Sequence, residues 1–205
     1  SGKLEPRVLR CGSTFILCYA LPIFFNYIQR ALLKQKWQST VYIYTYLTFR
    51  AAILDQYEAV FNENPDMDHR WRIEHAQHID PKDIPRFAEM GVIPSIQAIH
   101  LSSDRPWAIY RLGPKRIKEG AYVWRKLMDS GAIVINGTDV PVEPVSPIAS
   151  FYASVSRKTL NGTPDGGFEP DQKMTRFEAL KSYSINIEVN ASLRKVLAES
   201  KVEGI

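Results

Sequence analysis

From residue 39 onward the chain repeats one unit four times: an apolar or β-branched run, then a stretch with helical spacing. The first run is Thr40 to Thr48, β-branched and aromatic, a strand by composition. Ala51 to Val60 follows as a helix with Ile53, Leu54, Tyr57 and Val60 on one face. Asn62-Glu63-Asn64-Pro65-Asp66 ends it. The second strand is Trp71–His75, and Asp80 caps a helix with Pro81 at its first position. That helix runs to Met90 and stops at Gly91, and Val92–Gln97 is the third strand. Lys115 to Ser130 reads as mostly helical, Ala132–Asn136 as the fourth strand, and Pro147–Arg157 as its helix. A Gly/Pro-rich loop spans Leu160–Asp171, and Thr175 caps a last helix around Phe177-Glu178-Ala179-Leu180. Four strands joined by helices require crossovers, so the sheet is parallel and the class α/β.

Before residue 39 the pattern is weaker. Phe25 to Lys36 has helical spacing, while Cys11 to Gln29 carries no charge behind a basic lead. Gly12, Pro22 and Asn26 interrupt that run, so a buried strand and helix start is expected there rather than a membrane span. Cys11 and Cys18 share no metal-ligand spacing with a histidine and read as buried, reduced thiols, in keeping with a cytoplasmic location. The net charge of +4 is spread, with no basic run of five and no basic face interleaved with aromatics, so no nucleic-acid partner is expected. The first methionine is Met67, and an upstream segment is expected. Sequons at Asn136, Asn161 and Asn190 read as chance, since a glycan on Asn136 would not fit a packed strand end.

Three residues can carry chemistry. His75 closes the second strand; a neutral imidazole there suits a divalent metal, with Glu74 or Gln77 to orient it, or it is a histidine satisfied by hydrogen bonds. Asp139 follows the fourth strand; a carboxylate there can hold a metal and take a proton from water, or serve as a turn or cap residue before Val140-Pro141. His100, just past the third strand, reads equally as a substrate-polarising group or secondary ligand and as a loop histidine. His69 reads as a surface residue, and His78 would share a face with His75 only in a helix.

The residues around these positions resemble the amidohydrolase superfamily, in the metal-dependent branch that includes long-after-far-red-like and exoenzyme-regulator-like proteins. Arg72-Ile73-Glu74-His75-Ala76-Gln77 meets the pattern R-x-E-H-A-Q, and Gly137-Thr138-Asp139-Val140-Pro141-Val142-Glu143 meets G-[ST]-D-x-P-V-E. Ser95 to His100 is similar to S-x-Q-P-x-H, with Ala98 in place of proline. The resemblance implies a partial (β/α) TIM-type barrel: strands 5–8 with their helices over residues 38–190, a divergent segment 1–37 and a tail 191–205. It implies that His75 and Asp139 are metal ligands, that Asp139 is the catalytic residue, and that the cofactor is a divalent ion, zinc by expectation. It implies a hydrolase of carbon–nitrogen bonds other than peptides, acting on a small amide or cyclic amide.

The chain also departs from that family. It has no H-x-H pair for a first strand, and no segment for the lysine of a fourth. Tyr42 stands where the fifth strand would carry a ligand histidine, a degenerate ligand position, since a phenol of pKa about 10 is a poor substitute for imidazole on zinc. An alternative therefore stands beside the hydrolase: a truncated, inactive remnant keeping only the fold, prone to self-association at an exposed sheet edge.

Overall fold

The computed structural model describes residues 47–66 and 69–187, with the short backbone stretches 10–11, 14–15 and 40–41. Tyr42, Cys18, the helical spacing at 25–36 and the tail 191–205 lie outside them, as do the side chains of residues up to 50.

The elements are β1 (Arg10–Cys11), β2 (Thr14–Phe15), β3 (Thr40–Val41), α1 (Leu47–Glu63), β4 (Arg72–Glu74), α2 (Ile84–Glu89) and β5 (Ile93–Ile96). Next come α3 (His100–Ser103), α4 (Arg105–Gly120), α5 (Trp124–Asp129), β6 (Ile135–Asn136), α6 (Pro147–Ser156) and α7 (Arg176–Tyr183). Strands β1 and β2 pair antiparallel. Strands β3 to β6 form one sheet in sequential order, every neighbour parallel. This is the α/β arrangement that the alternation of strands and helices requires, with one crossover per step.

The register sorts the strand residues by face. Arg72 pairs with Ile93 and Glu74 with Ser95, while Ile73 pairs with Pro94. Ile73 and Ile96 are fully buried in one cluster with Leu54, Tyr57, Phe87, Trp124 and Leu127 of the helices. Each such side chain stabilises the fold by roughly 1.5–3 kcal/mol on burial. Helix α1 buries Ile53, Leu54, Tyr57 and Val60, the face its spacing predicts. Tyr57 meets Trp71 edge-on at 4.6 Å between ring centres. His69 is half-buried, its ring stacked on Phe61 at 3.8 Å, because a half-apolar imidazole covers an aromatic face well.

Local signals place most boundaries. Asp80 accepts a hydrogen bond from Lys82 N at the start of a 3-10 turn, Pro81–Asp83, that leads into α2. Gly91 ends that segment at φ 65, and Thr175 and Glu178 form a reciprocal capping box on α7. Four expectations are corrected. Leu47 and Thr48 belong to α1, so the first strand does not run to 48; helix formation is cooperative, and a 17-residue helix carries its first turn with it. The single helix from Lys115 to Ser130 is two helices, α4 and α5, and α4 begins ten residues earlier, at Arg105. Pro106 sits in its first turn, where a missing N–H costs nothing, and Gly113 at φ 76 takes up the kink before Pro114. The loop from Leu160 to Asp171 ends in a 3-10 turn, Pro170–Gln172. The fourth strand shrinks to Ile135–Asn136.

Candidate metal centre

The carboxyl ends of three neighbouring strands carry the candidate residues. His75 directly follows β4, His100 opens α3 four residues beyond β5, and Asp139 lies three residues beyond β6. The sheet order makes these strands adjacent, and the three side chains converge. One donor atom from each lies within 4.8 Å of the others. His100 Nε2 is 3.0 Å and His75 Nδ1 4.0 Å from the same atom, Asp139 Oδ2. The two imidazoles meet edge-on at 5.8 Å. His75 and His100 are buried, and Asp139 is partly open to solvent.

Backbone strain aims two of the three. His75 at φ 68, Ala76 at φ 33 and Asp139 at φ 57 all lie in the left-handed region. Histidine and aspartate tolerate it better than most residues, but it persists only when the surroundings fix it. Helix α6 supplies part of that fixing. Ser150 Oγ accepts from Ile99 N at 3.1 Å and donates to Gly137 O at 3.3 Å, tying together the loops that carry His100 and Asp139. Asn136, at the end of β6, accepts from Ala98 N and donates to Ser154 Oγ, each at 3.1 Å. Both of its side-chain atoms are thus spent inside the fold, which leaves no room for a glycan.

Two carboxylates that sequence reasoning gave no chemistry stand behind His100. Asp104 Oδ2 is 3.6 Å and Glu143 Oε1 3.5 Å from its Nδ1, while Nε2 faces Asp139. Asp104 sits one helical turn past His100 on the same face, a spacing that could have flagged it. Glu143, 43 residues away in sequence, reaches the ring through its bond from Ser103 Oγ, and only the fold reveals it. Glu74 accepts from Arg72 on the face of the sheet. Gln77 donates to Asp104 Oδ2 at 3.2 Å and to the Tyr122 hydroxyl at 2.8 Å. Burial, with the Asp104 charge second, pushes the Tyr122 phenol well above its ordinary range, so it stays neutral.

Beneath this rim lies Arg157, fully buried at the left-handed end of α6. It donates to the carbonyls of Tyr122 and Phe168, each at 2.8 Å, and its guanidinium lies 4.5 Å from the centre of the Trp124 ring. Burial pulls its pKa down to about 10, against the pull of Glu169, which leaves it charged at neutral pH. Glu169 also takes both hydrogen bonds of Arg105, the residue after Asp104.

The donor set fits a divalent first-row metal. Two imidazole nitrogens and a carboxylate oxygen are typical ligands, and tetrahedral ligands about 2.1 Å from a zinc lie roughly 3.4 Å apart, between the two distances observed here. Tyr42, the expected degenerate position, falls outside the described residues, and no further His, Cys, Asp or Glu joins the group among the described ones.

Comparison with known proteins gives the family and the fold. Residues 22–188 match the amidohydrolase family. Protein LONG AFTER FAR-RED 3 of Arabidopsis thaliana is 33% identical over 134 residues, 65% of this chain and 23% of that protein. N-substituted formamide deformylase of Arthrobacter pascens is 29% identical over 135 residues, 65% of this chain and 24% of that one. The chain thus spans about a quarter of the length of these relatives. Among solved structures, an uncharacterized metal-dependent hydrolase from Pyrococcus horikoshii OT3 superposes with a TM-score of 0.73 at 23% identity. The match covers 87% of this chain and 34% of that one, a likeness of fold.

Proposed function

We propose, from the premise that this chain belongs to the amidohydrolase family, that His75, His100 and Asp139 hold a divalent cation for hydrolysis of carbon–nitrogen bonds other than peptides. The observation that carries this is the convergence of three donors from three separate strand ends on one point. Residues 38–190 then form the C-terminal half of a (β/α) barrel, with 1–37 and 191–205 outside it, and the sheet edge at β3 is the place for self-association.

The name of the formamide deformylase supports a small linear amide as substrate, and a cyclic amide is the other member of the class proposed. A divalent cation, zinc in this reading, would supply Lewis acidity for a carbonyl and lower the pKa of water. Asp139, whose Oδ2 both histidines face, takes the proton from the attacking water and delivers it to the leaving nitrogen. His100, with two carboxylates behind its Nδ1, would present Nε2 to the cation, and His75 would present Nδ1 beside it. A catalytically silent remnant is the second reading, favoured by Tyr42 standing where the family pattern carries a ligand histidine.

The test is a panel of N-formylamines, linear amides and cyclic amides incubated with zinc- or manganese-loaded protein, with amine release followed by mass spectrometry. Turnover that Asp139→Asn abolishes while metal content persists supports the hydrolase. Loaded wild-type protein silent across the panel would decide for the remnant.

A further inference from the structure

A two-histidine metal site needs both rings held, because a ligand that can swing loses affinity. The turn that presents His75 runs through two left-handed residues in succession, His75 at φ 68 and Ala76 at φ 33, a conformation that local preference does not maintain. The residue after them is Gln77. Its backbone carbonyl accepts from Tyr122 N at 2.8 Å, inside a short pairing in which Ile79 N also donates to Gly120 O at 2.7 Å. Its side-chain amide nitrogen reaches two further partners, Tyr122 OH at 2.8 Å and Asp104 Oδ2 at 3.2 Å. That same Asp104 oxygen lies 3.6 Å from His100 Nδ1, on the ring edge away from Asp139. One amide group therefore stands between the turn that aims His75 and the carboxylate behind His100.

We propose that Gln77 is the positioning residue of the metal centre: by bridging Asp104 and Tyr122 it fixes the two histidine-bearing loops against each other. This rests on the reading that His75 and His100 are ligands. An amide suits the place better than a carboxylate. It donates toward Asp104 without adding a second negative charge, and the neutral phenol accepts its other hydrogen. A tie that merely braced the fold would change stability in both loops. It would not make the effects of Gln77 and Asp104 on a bound metal depend on each other.

The experiment is a cobalt(II) titration of the full chain, read from the visible absorption of the bound ion. The variants are Gln77→Ala, Asp104→Ala, Asp104→Asn and the Gln77→Ala/Asp104→Ala double, with urea melts of the metal-free proteins beside them. Gln77→Ala and Asp104→Ala each weaken cobalt binding by about 10–100-fold and alter the band. Asp104→Asn, whose amide oxygen accepts in the same place, stays nearer wild type, and the double variant binds no more weakly than the poorer single one. An unchanged affinity and band in Gln77→Ala would overturn the inference, as would losses that multiply in the double variant. Should Gln77→Ala fail to fold, the two Asp104 variants decide, because equal losses in both would also overturn it. No cobalt band in wild type would instead remove the metal reading itself.

Discussion

In the helical buttress formed by α5 and α7, the ties are ordinary helix signals. Thr175 and Glu178 cap α7 reciprocally, and Arg125 clasps the Glu178 carboxylate and reaches Asp129 one turn along its own helix. At the rim of the sheet the reverse holds: His75, Ala76 and Asp139 occupy backbone regions that their own propensities disfavour, and polar side chains are buried around them. The buttress keeps ordinary helical backbone, capped by neighbours in sequence at α7 and joined to α5 by the Arg125–Glu178 pair. The rim is held by ties from afar, from Ser150, Gln77 and Arg157. Backbone strain at the strand ends that carry the candidate ligands marks a place where a fold gives up stability for a task.

The largest effect that would sharpen this contrast comes from Arg157. Arg157→Ala strips two carbonyls of their donor and leaves a void under Trp124, and stability should fall by about 3 kcal/mol or more in urea unfolding. A loss under about 1 kcal/mol would mean that the rim does not depend on it.

Gly120 comes next. A Cβ there would run into the Ile79 carbonyl oxygen, so Gly120→Ala must push apart the pairing that seats Gln77. A cost of about 1–3 kcal/mol with weakened metal uptake is expected. Unchanged uptake would separate that pairing from the site.

The smallest effect is in the buttress. The Arg125 guanidinium, aided by Thr175, holds Glu178 down at about 2, against an ordinary value of 4.5. The unfolded chain therefore binds the proton first, so this contribution is present above about pH 4.5 and disappears as pH falls toward 2. Glu178→Gln should flatten the acid limb of the stability profile in that window and leave metal uptake untouched. A Glu178→Gln protein that lost metal would erase the division between the two regions.

The two regions also differ in how far the sequence reveals them. Thr175, Asp80 and Gly91 announce their boundaries because caps and turns act over a few residues. His75, Asp139 and His100 could be picked out by their place after apolar runs, and the parallel order of β4, β5 and β6 brings them together. The start of α4 could not, since Ser102-Ser103-Asp104-Arg105-Pro106 looks like a loop until the fold places Pro106 in a first turn. Glu143 behind His100, and Arg157 beneath Tyr122, were hidden for a different reason. Their partners lie 43 and 35 residues away, and no local signal spans that distance.

The central claim is that His75, His100 and Asp139 form a working metal centre. Metal content and zinc uptake of the purified chain, beside His75→Ala and Asp139→Ala, test it most directly. The account predicts one zinc, manganese or iron per chain in wild type, lost in both variants while their urea midpoints stay close to it. Protein that is metal-free, takes up no added zinc and is indifferent to either substitution would contradict it, leaving an amidohydrolase fold without the chemistry.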